Sequence, residues 1–153
     1  ILFTTYSLFA QEITGKVRTQ DKYSKAIVEI NKGYLNNDFK AFDKYLAEDG
    51  DYTVNGKKFM KNEIREGFSS DHNFFKNIKM SQTFVETTFY DENNNNQVWS
   101  HFWGMVESIS KRTNKNEAIA GNASFKWVDG KIVTASWIFD PSIKIQEMMA
   151  SQK

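Results

Sequence analysis

The chain is 153 residues long, with 20 Lys and Arg against 19 Asp and Glu (net charge +1), two His and no Cys. Disulfides, thiolate nucleophiles and cysteine-held metals are excluded, two histidines are too few for a zinc cluster unless carboxylates supply most ligands, and no global positive field gathers nucleic acid. What stands out is aromatic: 13 Phe, 6 Tyr and 4 Trp supply large rings that fill a core or line a pocket, in a chain of one-domain length.

Ile1 to Ala10 run apolar and end on a small residue before the polar Gln11-Glu12. That break predicts the remnant of a cleaved signal peptide over 1–10 and an exported protein, periplasmic or extracellular. The run is too short to span a bilayer, and no other stretch approaches membrane length. Residues 11–20 read as a polar lead-in and 21–150 as a single domain.

From Asp21 onward, Tyr23, Ile27, Ile30 and Tyr34 fall on one helical face, and Asn36-Asn37-Asp38 stops that helix. Phe39, Phe42 and Leu46 mark a second, shorter helix, and 47–51 reads as a loop. Tyr52 and Val54 alternate with polar neighbours before Asn55-Gly56, so 51–58 reads as a small strand with a tight reversal. Met60, Ile64, Phe68 and Phe75 carry a third helix over 61–76. The period then changes to two, with strands over 78–90, 97–109, 117–128 and 131–139, the last pair joined at Asp129-Gly130. Pro141 ends the final strand, and Ile145, Met148 and Met149 indicate a short closing helix. Helices segregated from a strand meander mean α+β: a cone-shaped curved antiparallel sheet covered by three N-terminal helices, with a short C-terminal helix and a pocket at the open end.

The first helix ending in GYLNNDFKAFDKYLAEDGDYTVNG, the strand pair FKWVDGKIV and the terminal WIFDP resemble the nuclear transport factor 2-like superfamily in its SnoaL-like bacterial branch, over 21–150. The resemblance implies the cystatin-like cone and leaves the activity open, because that superfamily contains enzymes, binding proteins and adaptors. Its ketosteroid isomerases carry a Tyr on the first helix and a general-base Asp on the early strand; those positions fall here on Ile30 and on Val54 or Asn55. Its cyclases carry an Asp on the final strand and a His on the strand before, which fall near Trp137 and Ala123. The Asp/His pair of the scytalone-dehydratase-like enzymes finds no candidates on facing strands. None of the residues present does that chemistry, so the reading leans away from an enzyme.

Trp99, His101, Trp103 and Met105 alternate along one strand, Ala123, Phe125 and Trp127 along the next, and Val133, Ala135, Trp137 and Phe139 along the last. These rings belong to the core, to a sheet-to-sheet dimer surface or to a ligand pocket. In the pocket reading the ligand-binding residues are Tyr52, Phe68, His101, Trp103, Phe125 and Trp137. If a catalyst is present, the candidates are Asp140, at the mouth end of the last strand, and His101, between two Trp. Asp140 also reads as a cap for the closing helix with Pro141 at its first position, and His101 as a satisfied core or interface residue. His72 lies in a polar segment and reads as exposed. Glu48, Asp49 and Asp51 lack the spacing of a calcium loop, so no metal and no cofactor are expected.

The expected function is an exported domain that binds a small apolar or aromatic molecule in the cone and forms a homodimer, with no nucleic acid and no membrane span. The alternatives are an isomerase-, cyclase- or dehydratase-type enzyme with an unfamiliar residue set, and a non-catalytic dimerisation or interaction module whose cone is filled by its own side chains.

Overall fold

The computed structural model describes residues 12–152, so the expected signal remnant over 1–10 lies outside the described residues. A short edge strand, β1 (Gly15–Arg18), stands where the sequence reads as polar lead-in. All four of its residues are exposed, so no alternation marks it; antiparallel pairing from Gly15↔Tyr90 to Arg18↔Thr87 places it. Helix α1 (Lys22–Leu35) starts where the Asp21 carboxylate accepts the Tyr23 and Ser24 backbone N–H groups at 2.8 and 3.2 Å. Its buried Ala26, Ile27 and Ile30 face the sheet.

A one-and-a-half-turn helix, α2 (Lys40–Tyr45), leads directly into β2 (Leu46–Val54). The expected loop over 47–51 is therefore part of a strand, but an irregular one: its parallel pairing shifts register between Leu46 and Asp51. β2 turns at Asn55-Gly56 into β3 (Lys57–Phe59), with φ of +50° and +77° at the two turn residues. That left-handed pair matches the twist of the flanking strands. Helix α3 (Lys61–Phe74) begins with the Glu63 carboxylate accepting the Met60 backbone N–H at 2.7 Å. The long strands β4 (Phe75–Tyr90), β5 (Val98–Ser110), β6 (Asn116–Val128) and β7 (Lys131–Phe139) follow, and α4 (Ser142–Ala150) closes the described chain.

The seven strands form one sheet in the order β1-β4-β5-β6-β7-β2-β3, antiparallel except for the parallel β7–β2 pair. Register fixes what each face carries. One row runs Val85–Phe102–Ala123–Trp137–Val54 and the next Thr87–Ser100–Phe125–Ala135–Tyr52, both toward the helices. The intervening rows, Phe84–Trp103–Asn122–Ile138 and Glu86–His101–Ser124–Ser136, take the outer face.

One end of the inner face is sealed by a buried hydroxyl chain. Asp21 Oδ2 accepts from Ser24 Oγ at 2.7 Å; Ser24 and Thr87 hydroxyls lie 2.8 Å apart, Thr87 and Ser100 hydroxyls 2.7 Å, and Trp127 Nε1 donates to Ser100 Oγ at 2.8 Å. Ser24, Thr87 and Ser100 are fully buried, so this chain satisfies groups that water does not reach. The other end of the inner face stays open.

Candidate functional site

At that open end a cavity of about 130 Å³ lies between the sheet and helices α1, α3 and α4. Its apolar wall includes Ile30, Phe42, Phe68, Phe102, Phe125 and Trp137. Trp137 is the centre of the ring cluster: Phe125 and Phe68 meet it edge-on at 5.6 and 5.7 Å between centroids, and Phe42 lies stacked at 6.5 Å. Gly104, two residues along β5 from Phe102, leaves room for that ring, since a Cβ there would stand 2.6 Å from its tip and the ring would have to shift.

The polar part of the wall comes from three helices. Tyr34 ends α1, Asp71 lies in the last turn of α3 and Lys144 in the first turn of α4. The Tyr34 hydroxyl donates to Asp71 Oδ2 at 3.0 Å, and Lys144 Nζ stands 2.6 Å from Asp71 Oδ1 while donating to the Gly67 carbonyl. Burial first, then the Asp71 carboxylate, pushes the Tyr34 phenol far above its ordinary value, so it stays a protonated donor. His72 is half-buried rather than exposed, because its Nε2 lies 2.7 Å from the Tyr34 backbone oxygen.

Three of the expected ligand-binding residues, Phe68, Phe125 and Trp137, meet in this wall. Tyr52 does not reach it. Its ring is buried in the core and its hydroxyl lies 2.7 Å from the Ala47 carbonyl and 2.9 Å from that of Ile132. Burial pushes its phenol up to about 12.

His101 and Trp103 lie on the outer face, because Phe102 between them points into the cone and successive strand residues alternate. There His101 Nδ1 stands 2.8 Å from Glu86 Oε1, a carboxylate from the neighbouring strand that sequence proximity does not reveal. Trp103 is 44% exposed and packs on Phe84 at 5.8 Å.

Asp140 is exposed at the cavity mouth, where its carboxylate accepts the Ser142 backbone N–H at 2.9 Å. That serves the start of α4 as expected, with Pro141 at the cap position rather than the first helical one. Hydrogen bonding to Ser142 holds the Asp140 carboxyl below its ordinary value. Asp140 and His101 therefore stand on opposite sides of the sheet and assemble no acid–base pair. Sequence reasoning missed Tyr34, Asp71 and Lys144 as a group; the first was legible only as a member of the α1 stripe. Among the described residues no three His, Asp or Glu side chains are placed to hold a metal ion, and no helix is long and apolar enough to cross a membrane.

Neither a family model nor any curated protein matches the sequence. Solved structures do. IdmH of Streptomyces antibioticus, described as a candidate polyketide cyclase, superposes with a TM-score of 0.60 at 11% identity over 84% of this chain and 99% of that one. A Xanthomonas campestris protein, also described as a candidate polyketide cyclase, gives 0.59 at 14% identity over 81% and 94%. A Catenulispora acidiphila protein with a ketosteroid isomerase-like fold, crystallised with trimethylamine, gives 0.56 at 12% identity over 74% and 83%. The chain has the nuclear transport factor 2-like fold. Within this nuclear transport factor 2-like cone, the positions to which the resemblance assigns catalytic groups include Ile30, Ala123 and Trp137, and all three line the cavity. None of them carries a titratable group.

Proposed function

We propose that the protein is an exported binding domain whose cone takes one small apolar or aromatic molecule, and that two copies associate through the outer face of the sheet. The observation that carries the ligand reading is the ring-lined cavity around Trp137. Its volume of about 130 Å³ is on the scale of apolar cavities that take a benzene-sized guest (~150 Å³) and below the ~300–1,000 Å³ of sites for larger ligands. The guest is therefore a single ring. Export is supported by the apolar stretch ending at Ala10, before the polar Gln11. Self-association is supported by the exposed Phe84, Trp103 and Ile138, which share one row of the outer face.

A thermal-shift series with toluene, p-cresol and naphthalene tests the ligand reading. The single-ring compounds are expected to raise the melting temperature with concentration, as mass action requires, and naphthalene to raise it less. Equal shifts for all three, or none for any, would refute it.

A further inference from the structure

One end of the cavity is polar in a way that a hydrocarbon guest leaves unused. The Lys144 ammonium has three N–H donors. It pairs by charge with Asp71 Oδ1 at 2.6 Å, without hydrogen-bond geometry, and donates one N–H to the Gly67 carbonyl; that leaves a donor with no protein partner among the described residues, and the side chain lies in the cavity wall. Asp71 is held within the same cluster: Oδ2 accepts the Tyr34 hydroxyl at 3.0 Å, while the buried Oδ1 lies against the ammonium without accepting a hydrogen bond among the described residues. The free donor is thus held by a carboxylate that is itself held from α1. The side chains of Lys144 and Asp71 are only 21% and 15% exposed, so a hydrogen bond made there competes weakly with water.

Charge decides which ligand group fits. The ammonium is already balanced by Asp71, and Asp140 adds negative charge at the mouth. A carboxylate entering the cavity would meet no net positive field and would have to shed its own water. An uncharged oxygen accepts the remaining N–H without bringing a second anion against Asp71.

We infer that Tyr34, Asp71 and Lys144 form a recognition end that selects single-ring molecules bearing an uncharged oxygen acceptor, such as a phenol or an aryl ketone. Lys144 is the donor to the ligand; Asp71 and Tyr34 are positioning residues that fix it. This rests on the reading of the cone as a ligand pocket and adds the chemistry of the ligand's polar end.

Fluorine NMR titrations with fluorobenzene, 4-fluorophenol, 4-fluoroacetophenone and 4-fluorobenzoate test it. The intact protein is expected to bind the phenol or the ketone roughly tenfold or more tighter than fluorobenzene, the factor one charge-assisted hydrogen bond supplies, and tighter than the benzoate. Lys144→Met should abolish that preference, so that the phenol and the ketone bind no tighter than fluorobenzene. Because Lys144→Met strands the Asp71 charge, the double variant Asp71→Asn/Lys144→Met, which removes the pair together, is measured beside it, with melting curves for both. Tyr34→Phe should weaken the preference without reversing it.

If fluorobenzene binds as tightly as its oxygenated relatives, or if the preference survives in the folded double variant, the recognition end is refuted while the pocket stands. Tighter binding of the benzoate refutes it as well. Binding of none of the four probes refutes both the recognition end and the pocket.

Discussion

At the scale of single residues, Trp137 and Tyr52 separate binding from stability although their rings lie only 6.5 Å apart. Trp137 lines the cavity, so Trp137→Ala should weaken binding of p-cresol by about 1–3 kcal/mol, the scale of one lost aromatic contact, and should enlarge the cavity enough to admit naphthalene. Calorimetric titration of both compounds reads this directly. Tyr52 lies outside the lining and holds two backbone carbonyls from its buried position. Tyr52→Phe should therefore lower unfolding stability by about 1–2 kcal/mol in urea titrations and leave p-cresol affinity unchanged. Asp140→Asn should change neither quantity appreciably, because the amide oxygen still accepts the Ser142 N–H.

At the scale of elements, the hydroxyl chain and α4 are the two fastenings that the cone depends on. Thr87 stands in the middle of the chain, with hydroxyl neighbours at 2.8 and 2.7 Å and no exposure. Thr87→Val keeps the shape but removes both of its hydroxyl bonds; Ser24 keeps Asp21 and Ser100 keeps Trp127, while the buried Ser100 O–H loses its acceptor, so the change should cost about 1–3 kcal/mol by chemical denaturation. Helix α4 is pinned by Glu147, which is buried and accepts from Arg112 Nε at 2.8 Å and from Arg112 Nη2 and Ser110 Oγ, both at 3.0 Å.

The Arg112 hydrogen bond, helped by Ser110, outweighs burial and holds the Glu147 carboxyl below its ordinary value of 4.5. The folded protein therefore binds this proton less readily than the unfolded chain does. The stabilisation is complete above the ordinary carboxylate value and is lost as the pH falls through the depressed folded value. Glu147→Gln should flatten the fall in melting temperature below pH 4.5 relative to the parent, measured by scanning calorimetry across that range. An equally steep fall in both proteins would assign the acid sensitivity to other carboxylates.

At the scale of the whole molecule, the sheet presents its apolar rows in two directions. The inner rows are covered by α1 to α4, whereas the outer row Phe84–Trp103–Asn122–Ile138 keeps three large apolar side chains 44–54% exposed. The proposed association through that row would account for the rings on both faces of β5 and would enclose the neighbouring His101–Glu86 pair. Sedimentation equilibrium at micromolar concentration is expected to give twice the chain mass for the parent and the single-chain mass for Trp103→Glu. A parent that sediments as one chain would assign the outer row to some other surface role. Trp103→Glu should leave p-cresol binding unchanged, because Trp103 is on the far side of the sheet from the cavity.

Patterns local in the chain were legible from the residues alone. The α1 stripe from Tyr23 to Tyr34, the two Asn/Asp-Gly reversals and the period-two run of the long strands each depend on neighbours a few positions away, and together they specify helices on a curved sheet, an α+β cone. Features that need a partner from elsewhere were decided by the tertiary structure. β1 has no apolar face and becomes a strand through its pairing with Tyr90 to Thr87. Residues 47–51, which read as loop, are drawn into β2 beside β7.

The same division governs the site. Alternation told which strand residues share a face, yet His101 and Trp103 face outward because the parity of β5 is set by Phe102 against Ala123 and Trp137 across the sheet. Tyr34, Asp71 and Lys144 are separated by 37 and 73 positions and lie on three different helices, so no spacing rule connects them. Their hydrogen bonds and charge pair exist only because α1, α3 and α4 converge on the open end of one curved sheet, where low exposure turns three ordinary surface-type side chains into a fixed polar group.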